Sequence, residues 1–303
     1  MEKGFFKKNR VFRINLIYIL SLIPVIVFGF YKNGIVVSKN GFMPIFLATQ
    51  YIVIPFIIIL LSYVFETYYY LGIKKENNTN NVVNSIAPYA NALCYLVCGP
   101  TNFLWLTVPL IVIIDIVIKF LDNKVSINQV ALFKCLLVGI LTIIGTTSSA
   151  NLYEASLNNT ITDVSLLFLG NGIGDIGTTS TLCALIGYII LLFNSYYKKD
   201  IPLICFIGYG LVSAIMYFVG GITFNDILIN TFTSGFMFLC IFVVSLSAAT
   251  PVVRGGKIVY SLLVGMACAV MVHALHFNIG MYIVVLIASL LVPIFNKFKL
   301  SLD

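Results

Sequence analysis

The stretch Gly170–Thr181, "GNGIGDIGTTST", sets Gly172, Gly174 and Gly177 in the spacing G-x-G-x-x-G. That spacing marks a dinucleotide-binding α/β fold when a strand precedes it, a helix follows, and an acidic residue stands about 20 positions further on. No preceding strand, βαβ unit or suitably spaced acid is available here. The glycines keep a physical meaning all the same: they let a backbone turn sharply and approach another group closely. Thr178, Thr179 and Ser180 are placed to cap the helix that follows. Two readings stay open for the stretch. One is a helix N-terminus whose free N–H groups favour an anion such as phosphate. The other is a tight re-entrant loop packed on neighbouring helices.

The surrounding chain decides the fold class. Of 303 residues, 60% are hydrophobic and only 10% are charged, with a mean hydropathy of +1.04. A soluble domain carries roughly 25% charged residues. Apolar runs near 20 residues recur along the full length, each able to cross about 30 Å of hydrocarbon as a helix. The chain therefore reads as an all-α polytopic membrane protein forming a single membrane domain over 1–303. The net charge of +7 does not indicate nucleic acid, because the basic residues sit in short loops on one side. The basic N-terminus and the run 12–31 resemble a signal peptide, but the run is too long and lacks a cleavage site, so it reads as an uncleaved first helix. All seven cysteines fall in apolar runs without a C-x-x-C, as expected of small buried hydrophobes.

Ten helices are predicted, over 12–31, 44–72, 84–98, 103–121, 129–146, 178–195, 201–219, 228–246, 257–275 and 279–296. The second is expected to tilt or kink at Pro55, and the eighth to end at "SLSAATP". With the N-terminus inside, cytoplasmic segments hold the basic residues of 1–13, 74–75, 119–134, 198–199, 254–257 and 297–299. Outside loops keep only Lys32 and Lys39 of the eighteen Lys and Arg residues. This asymmetry is what topology demands, and it places both termini in the cytoplasm. The helices divide into a half at 12–146, an external loop at 147–177 and a half at 178–296. Each half has a short third member followed by a break, a pattern of two inverted five-helix repeats with a site at the breaks.

Few polar groups interrupt the apolar runs. Asp115 stands mid-run in "LIVIIDIVIKFL", with Lys119 four residues on and able to pair with it. Glu66 in "SYVFETYYY" reads as interfacial or as an ion-site residue. Intramembrane acids cost several kcal/mol unless paired or hydrated, so Glu66, Asp115 and Lys119 are candidates for an ion site or a structural charge pair. His273 and His276 read as interfacial residues rather than metal ligands. No hydrolase triad, H-E-x-x-H or P-loop occurs, and no metal site or catalytic residue is indicated.

Several longer stretches resemble the RnfD/NqrB family, the large membrane subunit of ion-motive, flavin-dependent electron-transport complexes. "RVFRINLIYILSLIPVIVFGFYKNG" is similar to the family's first helix, and "FETYYYLGIKK" to its second, with Glu66 on the family's glutamate. "VIKFLDNKVSINQVALFK" keeps Lys119 and Asn128 of a longer motif. "FLGNGIGDIGTTSTLCALIGY" matches best, against F-L-G-N-x-x-G-S-I-G-E-T-S-x-L, with Asp175 for serine and Thr178 for glutamate. "SLSAATPVVRGGKIVYSLLVG" resembles a further motif, with Leu246 in place of an aspartate.

The resemblance implies a prokaryotic plasma-membrane subunit that works with other subunits of an Rnf/Nqr-like complex, with Na⁺ or H⁺ as the coupled ion. It also implies FMN, esterified in the family to a threonine of D-G-x-S-G-A-T. The matching stretch is "GTTSSANLY", where Ser148 and Ser149 fit but Asn151 replaces the acceptor threonine. Asparagine has no hydroxyl, so a flavin here is expected to be bound without that ester. Its expected contacts are Ser148, Ser149, Asn151, Gly170, Gly172, Gly174, Gly177, Thr178, Thr179 and Ser180. A small-solute or ion transporter, and a structural membrane subunit that has lost its cofactor, are the alternatives.

Overall fold

A computed structural model of the protein describes residues 2–75, 85–99, 104–121, 126–144 and 163–298. Among these residues the regular structure is helical, with no strand. Hydrocarbon offers backbone N–H and C=O groups no partner, so an apolar chain of this kind closes its hydrogen bonds within helices.

In chain order, α1 (Glu2–Phe30) runs through a π-helical turn at Tyr31–Val36, and α2 (Gln50–Thr67) leads into another at Tyr68–Ile73. Next come α3 (Ala87–Leu96), α4 (Leu104–Phe120), α5 (Gln129–Ile144), α6 (Val164–Leu169) and α7 (Thr181–Leu192). The last group is α8 (Asp200–Phe218), α9 (Phe224–Thr233), α10 (Phe236–Val244), α11 (Arg254–His273) and α12 (Gly280–Leu290). Among the described residues four stretches, Asn15–Lys39, Ile45–Ile73, Asp200–Phe218 and Arg254–His273, are long and apolar enough to cross a bilayer, and counting the bent pair α9–α10 makes five. The protein is embedded in a membrane.

One expectation about an individual helix changes. The eighth run is not one helix: α9 and α10 meet at 61° around Ser234 and Gly235, and Gly235 has φ +76°. A residue without a Cβ takes that left-handed conformation readily, so a break falls inside the run, which then ends at Val244 ahead of Pro251. The second run stays helical through Pro55, with a single-residue turn at Thr49 between the short helix Ile45–Ala48 and α2.

The core is built on two short helices. In α3 every residue from Pro88 to Leu96 is buried, and in α10 all but Met237 are. Helices that are apolar all round belong inside others. The ten residues of α3 extend roughly 15 Å at about 1.5 Å per residue, half the hydrocarbon thickness, so its ends lie within the protein. Longer helices enclose this pair, with α1 on α7, α2 on α3, α5 on α12, and α8 on α11. Their outward faces carry exposed apolar side chains such as Leu60, Ile143, Phe193 and Phe218, as a hydrocarbon solvent allows.

Lipid tails are as apolar as leucine, so the enclosing helices are held by close packing and hydrogen bonds rather than by water exclusion. The α8–α11 pair shows the consequence. A Cβ on Gly265 would lie 2.1 Å from the Cys205 carbonyl oxygen, and one on Gly208 would lie 2.5 Å from that of Leu262. Both contacts are with rigid helical backbone. Substituting Gly265→Val is expected to destabilise the protein by about 1–3 kcal/mol, the usual cost of overpacking. Thermal unfolding in detergent should show this as a lowered midpoint, while Gly139→Ala, at a position with open space around it, leaves the midpoint unchanged.

Candidate functional site

A helix that ends inside an apolar interior leaves its last carbonyls without partners, and α3 does so at Leu96. Three groups supply them. The Gly177 N–H donates to Leu96 O at 2.8 Å, the Ile176 N–H donates to Cys98 O at 2.9 Å, and Lys134 Nζ donates to Val97 O at 2.7 Å. The glycine stretch is therefore a loop inserted between helices. A Cβ on Gly177 would lie 2.9 Å from both Leu96 Cβ and Val25 Cγ1, so the backbone reaches the helix end only because that atom is missing.

Other contacts fix the loop on both sides. Asp163 caps α6 by accepting the Ser165 N–H, and Gly170 ends that helix at φ +113°. Ser180 Oγ accepts the Cys183 N–H at the start of α7 and donates to Leu169 O at 2.7 Å. Lys32, in the π-helical turn after α1, is only 1% exposed; its Nζ donates to Gly172 O at 2.9 Å and to Thr179 Oγ1 at 2.8 Å. Lys134 Nζ also donates to both oxygens of Asp175, at 2.8 and 2.7 Å. Two lysines thus anchor one loop.

Lys134, expected in a cytoplasmic segment, is instead buried one turn into α5. Lys32 likewise belongs to a helix rather than to an outside loop. Both sit in otherwise apolar helical runs, and that position is the signal by which sequence could have found them.

Between these elements lies a cavity of about 420 Å³. The ends of both short-helix breaks open onto it, Cys98 and Gly99 from α3 and Thr233 and Ser234 from the α9–α10 corner. Gly174, Asp175 and Thr178 face it from the inserted loop, Lys134 and Val138 from α5, and Asn278 and Tyr282 from the start of α12. Its wall mixes apolar surface with hydroxyl and amide groups and one lysine–aspartate pair. Of the residues expected at a cofactor site, Gly174 and Thr178 line the cavity, while Gly170, Gly172, Gly177, Thr179 and Ser180 build the loop beside it. Ser148, Ser149 and Asn151 lie outside the described residues. The lining from α5, α9 and α12 had no motif to announce it.

A second polar group lies along α2 and α4. Lys119 Nζ is 2.9 Å from Glu66 Oε1 and 2.9 Å from Asp115 Oδ2. The expected Asp115–Lys119 pair is present, and Glu66 joins it as a buried residue. Ser85 Oγ donates to Glu66 Oε1 at 2.8 Å. All three charged residues line a cavity of about 180 Å³ that also includes Gln129. From there Gln129 Nε2 donates to Asn91 Oδ1 at 2.5 Å, and Asn91 Nδ2 donates to Ser62 Oγ at 2.8 Å. Helix α5 therefore carries Gln129 at one cavity and Lys134 at the other. Its first turn is held by Asn128, whose Oδ1 accepts the Ala131 N–H at 3.1 Å and whose Nδ2 donates to Val243 O at 2.8 Å.

The remaining candidates are structural. Six cysteines are buried and Cys135 is half-buried, all as free thiols. His273 is buried, 3.1 Å from Ser213 Oγ, whereas His276 is exposed. Among the described residues no cluster of His, Cys, Asp and Glu could hold a metal.

A family model described as the NQR2, RnfD, RnfE family matches residues 124–301, more than half of the chain. No curated protein matches it.

Removing Lys134 leaves the Asp175 carboxylate and the Val97 carbonyl without their donor. Lys134→Met is expected to cost about 3–5 kcal/mol, as for other broken buried pairs. Lys134→Met combined with Asp175→Leu should recover most of that loss. Thermal unfolding of the single and double variants measures the difference, and equal losses in both would contradict it.

Proposed function

We propose that this chain, which belongs to the NQR2, RnfD, RnfE family, is an electron-carrying membrane subunit that binds a flavin without an ester bond. Family membership makes it a membrane subunit of Rnf/Nqr-type complexes; the flavin and the coupled ion are the further steps. The observation that carries the reading is the cavity where the inserted glycine loop meets both helix breaks. Its volume, about 420 Å³, falls within the roughly 300–1,000 Å³ of sites that enclose small molecules.

The residues present fit a flavin ring. Tyr282, Val138 and Ile173 give apolar surface, and Thr178, Ser234 and Asn278 give hydrogen-bonding groups for a polar ring edge. Lys134 and Asp175 together are electrically neutral, which suits an uncharged ring system. Bound there, the flavin would supply the redox chemistry, and the protein its position, dielectric and shielding from water. The loop anchors set the shape of the wall before any ligand arrives. Asn151 stands where the family's acceptor threonine is expected, and an amide side chain cannot form the phosphoester.

The topology that goes with this reading has ten spans, both termini in the cytoplasm and two inverted five-helix halves, in a prokaryotic plasma membrane. Sibling subunits would deliver and remove electrons, with Na⁺ or H⁺ movement as the coupled work. Two broken helices facing one cavity also suit a small-solute pathway, so flux through liposomes containing this chain alone would favour a transporter instead.

Protein purified natively should release flavin on denaturation and show no flavin fluorescence in a denaturing gel. Val138→Trp, which fills the cavity from α5, should lower flavin content roughly tenfold, equivalent to about 1.4 kcal/mol of binding, at an unchanged unfolding midpoint. Unchanged flavin content in that variant would remove the cavity from consideration, and fluorescence retained in the gel would restore an ester.

A further inference from the structure

We propose that the Glu66–Asp115–Lys119 group is a proton-binding site, with Glu66 Oε2 as the atom that takes the proton. This deepens the coupled-ion part of the functional reading by naming the cation, and it does not involve the flavin cavity.

Charge and hydrogen bonding both lead to Glu66. Two carboxylates share one ammonium, with both N–O distances 2.9 Å. Fully ionised, the group carries one surplus negative charge, and Glu66 is 1% and Asp115 4% exposed. An uncompensated buried charge costs several kcal/mol, so the group is completed by one more positive charge. The donors are also unevenly placed. Lys119 and Ser85 both donate to Glu66 Oε1, whereas Glu66 Oε2 is buried without a hydrogen-bond partner. A bare carboxylate oxygen in that position is the costliest atom of the group, and protonation removes its charge.

Among the described residues the neighbours do not supply the missing charge. Lys74 lines the same cavity, but it is exposed, with its ammonium 5.4 Å and 5.8 Å from the ring centroids of Tyr69 and Tyr70. Tyr69 turns its hydroxyl to Lys119 O at 3.4 Å. From α3, the titratable group within electrostatic reach of Asp115 is the buried Cys94 thiol, and the Lys119 ammonium lies 4.1 Å from the Phe65 ring centroid.

A metal cation is a poorer match than a proton. Hard cations collect about six or more oxygen ligands, and here the tethered ammonium already occupies the point between the two carboxylates. A second cation would also meet the repulsion of Lys119. The cavity of about 180 Å³ lined by Glu66, Ser85 and Gln129 has room for water to bring a proton to the group and carry it away. The step is a proton transfer alone, with no bond to carbon and no change in oxidation state.

Infrared difference spectroscopy of the full-length protein in lipid nanodiscs, without any electron donor, tests this independently of flavin. At neutral pH the protein should show a protonated-carboxyl C=O band that shifts in D₂O and is insensitive to Na⁺. Glu66→Gln should abolish the band. Lys119→Gln, which leaves two carboxylates without a counter-charge, should roughly double it. A wild-type protein without the band, a band that survives in Glu66→Gln, or a band displaced by Na⁺ overturns the proposal. Should the variants fail to fold, the wild-type band and its response to Na⁺ decide alone. Loss of the proton site would leave the flavin reading intact, and absence of flavin would leave this band unchanged.

Discussion

Three carbonyl oxygens at the end of a ten-residue helix organise this protein. In water, Leu96, Val97 and Cys98 could turn to solvent; inside an apolar bundle an unpartnered carbonyl costs on the order of 1–3 kcal/mol. Each needs a donor delivered from elsewhere in the chain. The structure delivers two backbone N–H groups on the tip of an inserted loop and one ammonium from α5. The loop must approach a helix end closely, so Gly177 has no side chain. The ammonium must be neutralised, so Asp175 is on the same loop. A cavity follows where the loop, the α3 end and the α9–α10 corner meet without filling the space.

The charged groups inside the bundle obey one rule in two places. Around the inserted loop, Lys134 is matched by Asp175, and Lys32 is spent on a carbonyl and a hydroxyl that hold the loop in place. Around α4, one lysine serves two carboxylates, and the surplus is what makes that group different. The first arrangement pairs its one carboxylate and holds the second ammonium through polar contacts with the loop, which suits a rigid wall. The second is left with an unpartnered carboxylate oxygen next to a small cavity, which is the condition for taking up a cation. Helix α5 borders both, with Asn128 tying its first turn to α10, so the two groups share one rigid element about a turn and a half apart.

These observations bear on the opening glycine spacing. It is not a phosphate cradle at the front of a parallel sheet, since the described chain is helical. Nor is it a free helix N-terminus, because Ser180 occupies the Cys183 N–H itself. The re-entrant alternative accounts for every polar contact of Gly172, Ile176, Gly177, Thr179 and Ser180. Its relevance to function is indirect: five of the seven loop residues singled out hold the wall in place, and Gly174 and Thr178 face the space behind it.

Helical runs, their approximate limits, the membrane setting and the family resemblance were all legible in the amino-acid order. They depend on local composition and on a period of 3.6 residues, and both survive without knowledge of neighbours. The Asp115–Lys119 pair was legible for the same reason, being four residues apart on one helix. Partners separated by long stretches were not: Lys134 with Asp175, Lys32 with Thr179, Glu66 with Lys119, and the meeting of Gly177 with Leu96. Those depend on which faces of distant helices touch, and an isolated lysine in an apolar run looks much like a loop residue displaced by a few positions. Amino-acid order alone determined that this chain lives in hydrocarbon as helices. Only tertiary packing decided what meets the short helix's buried end, because such an end is tolerable solely where another part of the chain arrives with the missing donors.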